Sequence, residues 1–378
     1  MGAPRISRIL TLASLAVACS GPEPAVTPSE PDPAGSELAW ADTSAAPWAE
    51  EEGRGRAKRR KRSDYRVAPP MLELSARIST GSLPKSVEVS PDGAHVVVAN
   101  FGYQGHDNLW RWTTAGLERA GRMGFDGNAV ETLFSADGSR MFVSSFSGAK
   151  VIEADAKTMR ARHTYSVGIN PKVMALSPDE RLLWVANWSA HSVTAVDRRR
   201  RKAVDHFRVG HHPRGMVVDE QGRVYVNAMY SHQIHVLEFV PKKSGYDEIE
   251  ELRVMPVCEY PRHVIWSPGR DALIVSCSGE DRVATYDPET GEELDSAAVG
   301  DNPRTISASL DGRFIAVANF TGGTVSVIDT VARVVHEHAV PGVEQIVGVA
   351  VEPRSCDEPL RVYATNWQGN ELLVFDGP

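Results

Sequence analysis

The sequence predicts an all-β chain closed into a seven-bladed β-propeller of four-stranded blades, on three observations. Helical patterning is nearly absent, while short runs rich in Val, Ile and aromatic residues alternate with clusters of Gly, Pro, Asn and Asp. One phrase returns seven times from Leu72 onward. The last copy stops one strand short, and a spare strand stands ahead of the first.

The phrase is a loop ending in Pro, an apolar strand, a Ser-Pro-Asp-Gly-like turn and a second strand ending in Val-Ala-Asn. Its turns begin at Ser90, Ser135, Ser177, Asp219, Ser267, Ser309 and Glu352, and its second strands end at Asn100, Ser145, Asn187, Asn227, Cys277, Asn319 and Asn366. The mean spacing of about 44 residues is the length of one four-stranded unit. A third strand ending in an acidic residue follows, as at Asp197 and Asp329, then a fourth that often closes on Val-Gly, as at Val209 and Gly210. First strands carry paired apolar columns, such as Val87 with Val89 and Met174 with Leu176. A single blade cannot bury such a face, so the ring must close.

The final repeat ends at Asp376 after its third strand. Pairing the spare N-terminal strand 72–80 beside it completes the last blade and removes two exposed edges in one step. The 378 residues then divide into a signal peptide over 1–18, a disordered tether over 19–70 and the propeller over 71–378.

The amino terminus reads as an address. Arg5 and Arg8 precede an apolar run over 9–17 that is too short to span a bilayer, and Ala16, Val17 and Ala18 offer a small-residue cleavage site before Cys19. The segment resembles a bacterial lipobox, with Ala16 where Leu usually stands, so lipidation of Cys19 and plain cleavage before it both fit. The stretch that follows is too poor in apolar residues to offset the entropy of ordering, and fully extended it reaches on the order of 150 Å. Its run 54–62 holds seven basic residues of nine, either a solvated linker or a handle for an anionic surface. The net charge of −8 therefore says little about partners.

The repeats resemble the YVTN β-propeller family, through Tyr225-Val226-Asn227, Tyr363-Ala364-Thr365-Asn366, the Pro-led first strand and the Ser-Pro-Asp-Gly turns. The resemblance covers about Leu72 to Asp376 and implies an extracytoplasmic ring. Related seven-bladed rings include lactonases and quinoprotein dehydrogenase subunits, so the likeness implies an architecture and not an activity.

In this topology the loops entering the first strand and leaving the second share one face around the central channel. Immediately after the Pro position stand Lys85, Lys172, Arg214, Arg262 and Arg304, with Val130 and Val347 in the other two copies. Converging cations focus a field in a low-dielectric mouth, and Arg grips carboxylate or phosphate with two hydrogen bonds. The functional expectation is an anion-binding funnel; the bland one pairs these cations with loop acids such as Asp301. A second circle follows the strand-ending Asn: Phe101, Phe146, Trp188, Phe320 and Trp367. These rings serve either as a stacking platform, with Trp188 and Trp367 as contact residues, or as plugs between blades.

His106, His191, His211, His212, His232 and His263 map to the same face. His191 and His232 fall at a turn position where other copies have Asp107, Gly148, Asp281, Gly323 and Asn370, so turn chemistry accounts for them. No close ligand pair is evident, and neither a metal nor a cofactor is expected. The catalytic candidates are Glu131 and His263, in one column just inside the cationic circle, where a carboxylate and an imidazole suit water-mediated ester or lactone hydrolysis. They belong to blades two and five, and no nucleophile elbow, P-loop or zinc spacing accompanies them. Cys258 and Cys277 approach this face as a disulfide or as two buried thiols, and Cys356, on the opposite face, is expected to stay unpaired.

The sequence reads as a monomeric cell-envelope propeller, lipid-anchored at Cys19 or else periplasmic or secreted. It is expected to bind an anionic or polar ligand, or an envelope protein segment, on the cationic face, leaning away from an enzyme. The alternatives are a lactonase-like hydrolase and a purely structural interaction module. Nucleic acid is not an expected partner.

Overall fold

The computed structural model describes residues 64–103, 105–242, 247–267, 270–354 and 358–377. The expected signal peptide, Cys19, the basic run 54–62 and Cys356 lie outside the described residues.

After β1 (Arg66–Ala68) and β2 (Glu73–Ser79), the strands fall into seven groups. Blade one is β3–β6 over 84–123, blade two β7–β10 over 129–166, blade three β11–β14 over 171–208 and blade four β15–β18 over 213–256. Blade five is β19–β22 over 261–298, blade six β23–β26 over 303–339, and blade seven β27–β29 over 346–376. Neighbouring strands within each group pair antiparallel in chain order. The first strands of adjacent blades touch, β27 with β3 and β3 with β7 among them, so the ring is closed.

Closure follows the predicted route. β2 pairs antiparallel with β29 (Glu371–Asp376), placing Ser79 opposite Glu371 and Glu73 opposite Asp376, and so supplies the fourth strand of blade seven. One element departs from expectation. β1 lies in the stretch read as tether, and it pairs parallel with β26 (Val334–Ala339), Arg66 opposite Val334, as a fifth strand of blade six. Between β1 and β2 the chain is pinned by His338, whose Nε2 accepts the backbone N–H groups of Met71 and Leu72, each at 2.9 Å.

The repeated turn has a physical reason. Ser90 Oγ donates to Asp92 Oδ1 at 2.5 Å and accepts the His95 N–H at 3.0 Å, while the same carboxylate oxygen accepts the Ala94 N–H. Ser177 with Asp179 and Ser309 with Asp311 repeat it, so each Ser-x-Asp closes the hairpin between first and second strands.

The core lies between blades. Val87 and Val89 of blade one pack with Tyr363, Leu372 and Val374 of blade seven, whereas Val97 and Leu109 face Phe134 and Met141 of blade two. Fully burying such a side chain contributes about 1.5–3 kcal/mol, and each blade depends on both neighbours for it.

One irregularity recurs in all seven blades and positions the site. The pairing of first and second strands slips just after the first residue, between Pro84 and Ser86 in blade one, Pro171 and Met174 in blade three, and Pro303 and Ile306 in blade six. Blades two, four, five and seven show the same slip. A bulge re-aims the residues it contains. Here it contains the cationic position.

Candidate functional site

The channel face is built from a bond that every blade makes. The residue after the second strand donates its N–H to the carbonyl of the residue just before the first strand: Phe101 to Leu83, Phe146 to Asn128, Trp188 to Asn170, Met229 to His212, Ser278 to Tyr260, Phe320 to Asn302 and Trp367 to Gln345. This register corrects the sequence alignment in blade four. Ala228, not Asn227, pairs with Pro213, so Met229 takes the aromatic position.

That bond brings the two predicted circles into contact. Lys85 Nζ lies 4.6 Å from the Trp367 ring centroid and 5.6 Å from that of Phe101. Lys172 Nζ lies 4.0 Å from Trp188 and 5.9 Å from Phe146, and the Arg304 guanidinium sits 3.1 Å from Phe320. Arg214 Nη1 contacts Met229 Sδ at 3.8 Å, and Arg262 Nη1 reaches Asn302 Oδ1 at 3.5 Å. All five cations are buried, none more than 8% exposed. Burial pulls Arg262 down to about 9, which leaves it charged at neutral pH. The open cationic funnel is thus corrected: all five cations are buried, Lys85, Lys172 and Arg304 against aromatic rings, Arg214 against Met229 and Arg262 against Asn302.

The rings form a chain of contacts around the face. Centroid distances are 5.9 Å from Trp367 to Phe101, 5.8 Å from Phe101 to Phe146 and 6.5 Å from Phe146 to Trp188. The chain continues at 4.3 Å from Trp188 to His212, 4.8 Å from His212 to Tyr230 and 5.6 Å from Tyr230 to Tyr260. Phe101 and Phe146 are buried plugs, while Trp188, Trp367, Tyr230 and Tyr260 are half-buried and offer ring surface. Tyr230 and Tyr260 were missed in the sequence because they lie outside the circle of residues that follows the strand-ending Asn.

Glu131 and His263 are not brought together; blades three and four separate their sheets. Both are fully buried and do the same structural work. Glu131 Oε1 accepts the Met174 N–H of blade three at 3.4 Å, and His263 Nδ1 accepts the Ile306 N–H of blade six at 3.0 Å. Each ties its blade to the next. Burial, with Glu88 nearby, pushes the Glu131 carboxyl well above the usual range, which disfavours its charged form.

The strand-ending Asn side chains are structural as well: Asn187 Nδ2 donates to Thr194 Oγ1 at 2.8 Å and Asn319 Nδ2 to Ser326 Oγ at 2.8 Å. In blade five Cys277 replaces that Asn and is joined to Cys258 by a disulfide, with Cα atoms 5.7 Å apart. The bond ties the loop entering blade five to the end of its second strand.

The histidines differ from expectation. His191 and His232 have φ of 52° and 55°, left-handed as the turn alignment requires, although in blade two the left-handed residue is Ala149 rather than Gly148. His212 is left-handed too, at 56°, in the position before Pro213. These turns gather His191, His211 and His212 at the seam of blades three and four, with one ligand nitrogen from each lying within 4.8 Å of the others. The spacing of 20 residues in sequence concealed this.

No protein-family model matches the chain, and no curated protein matches it. Among solved structures it is similar to Kuenenia stuttgartiensis hydrazine synthase, at 16% identity and a TM-score of 0.64, over 79% of this chain and 97% of that one. It is also similar to the Cps50 (Swd1) β-propeller domain of Myceliophteria thermophila, at 11% identity and a TM-score of 0.67, over 81% of this chain and all of that one. At these identities the likeness establishes the propeller fold alone.

On the opposite face the basic turn 198–202 is paired in part, through Arg198 and Arg200, while Arg199, Arg201 and Lys202 are exposed. Arg198 lies 3.3 Å from Glu180 and 3.5 Å from Glu153, Arg200 lies 2.5 Å from Asp247, and Arg181 lies 2.9 Å from Asp197.

Proposed function

We propose that this chain is a binding propeller of the YVTN type that works in the cell envelope, held there through a lipid on Cys19, and that receives an anionic ligand across the channel face without chemical turnover. The observation that carries the reading is the run of rings Trp367, Phe101, Phe146 and Trp188 seated on the buried Lys85 and Lys172. A positive charge beneath an aromatic face, in a low-dielectric setting, projects its field through the ring to the surface. A ligand with apolar faces for stacking and carboxylates for that field fits this platform better than a neutral one. Glu131 and His263, buried in separate blades, give no support to the hydrolase alternative.

Calorimetric titration tests it with three probes of matched length: an oligouronate, a glutamate-rich peptide and a neutral oligosaccharide. An anionic probe should bind, weaken as salt rises, and lose most of its affinity to a Trp188→Leu, Trp367→Leu double variant whose fold is verified by its melting curve. Equal binding of the neutral sugar, or unchanged affinity in the double variant, rejects the reading.

A further inference from the structure

The seam of blades three and four carries a second kind of chemistry. His191 occupies the turn between β12 (Leu182–Asn187) and β13 (Ser192–Asp197), while His211 and His212 lie in the connection from β14 (Lys202–Arg208) to β15 (Pro213–Val218). Ring centroids are 4.6 Å apart for His191 and His212 and 5.1 Å for His191 and His211. We propose that His191, His211 and His212 form a three-imidazole site for a divalent ion of the zinc or copper class, with its fourth position open to water or to an anionic ligand.

The donor set selects the ion. Three imidazoles with no carboxylate suit Zn2+, Cu2+ or Ni2+ and do not suit Mg2+ or Ca2+, which take oxygen. In a tetrahedral zinc site the ligand nitrogens stand about 3.4 Å apart, given Zn–N bonds of about 2.0–2.1 Å. The present separation of up to 4.8 Å closes by side-chain rotation, for which His211 is free because it is exposed. The other two rings are held. His212 lies against Trp188 at 4.3 Å and Tyr230 at 4.8 Å, and its Nδ1 is buried with no hydrogen-bond partner among the described residues. A buried imidazole nitrogen with nothing to bond is what a metal ligand looks like before the metal arrives.

Binding has an identifiable cost. His191 Nδ1 now accepts the His212 N–H at 3.0 Å, and coordination ends that bond: through Nδ1 the lone pair is used, and through Nε2 the proton moves to Nδ1. One neutral hydrogen bond is given up against three metal–nitrogen bonds. Lys172 and Arg214 lie near enough to His212 to oppose a dication, so the site should be weaker than a closed structural one. The same charges favour an anion at the fourth position. The site is independent of whether an anionic polymer binds the aromatic platform.

Titration of the untagged full chain, first freed of metal by a chelator, with ZnCl2 and in parallel with CoCl2, decides the matter. Wild type should take up one equivalent of Zn2+, rise in melting temperature, and give the intense visible bands of four-coordinate Co2+. The variants are His191→Asn and His212→Asn, since Asn tolerates the left-handed backbone, and His211→Gln. Each should bind at least about tenfold more weakly, while His232→Asn, a left-handed histidine outside the trio, should bind as wild type does. Wild type that takes up no more Zn2+ than the combined triple variant, or single variants with unchanged affinity, overturns the site.

Discussion

Lys172 Nζ lies 4.0 Å from the Trp188 ring centroid with the lysine wholly buried. The two residues come from the bulge and from the position after the second strand of one blade, so a feature of the repeat creates the contact. A Lys172→Met, Trp188→Leu double-mutant cycle should show a coupling of about 2 kcal/mol, in the range for a desolvated cation over an indole. Denaturant unfolding measures it. Additivity within about 0.3 kcal/mol would mean the ring does not hold the charge.

The two N-terminal strands should contribute unequally. A chain beginning at Met71 loses β1 and keeps β2, and only a modest fall in melting temperature is expected. A chain beginning at Gly81 also uncovers the edge of β29, and a fall of about 10 °C or more, with aggregation, is expected. Equal melting of the two shortened chains contradicts the closure.

His338 makes stability depend on pH. Burial lowers its affinity for a proton, and the Val325 carbonyl against its Nδ1 opposes this without overcoming it. In the unfolded chain the group titrates near 6.5. As pH falls through that value the unfolded state takes up a proton first, so stability declines, by at most about 1.4 kcal/mol per pH unit. Protonation also removes the acceptor that holds Met71 and Leu72. His338→Asn should flatten this slope between pH 7 and pH 5 in denaturant unfolding, and an unaltered slope would assign it elsewhere.

Glu131 has the opposite sign. Its carboxyl is raised by burial, so its contribution is fully present below the unfolded value, about 4.3, and is lost as pH rises toward the folded one. Glu131→Gln keeps an acceptor for the Met174 N–H and cannot ionise. The variant should match wild type near pH 4 and exceed it in stability at pH 8, as measured by denaturant unfolding. A variant less stable than wild type at pH 8 would show that the carboxylate form is the one the fold uses.

The ring was legible because its signals are local and repeated. Ser-x-Asp turns, strand-ending Asn and the spare strand are each read within a few residues, and seven copies reinforce one another. The site was less so. Lys172 and Trp188 were both picked out, but only the register slip decides that the lysine turns beneath the ring. Strand alternation read along the sequence assumes no slip. Blade four went one residue out of alignment because Asn227 imitates the strand-ending Asn, whereas Ala228 is the residue opposite Pro213. β1 escaped notice because three residues, Arg66, Val67 and Ala68, carry no periodicity and gain their partner only from blade six. His191 and His212 meet through a blade seam, a neighbour relation that spacing within one repeat does not encode.

The fifth strand of blade six also sets how the ring bears mechanical load. Any pull on the chain upstream of Asp64 reaches the propeller through β1, which is bonded over three residues, before it reaches β2, which is bonded along its length to β29. β1 therefore yields first under tension and can re-form when the pull is released. The closure of blade seven is shielded from the pull while β1 holds.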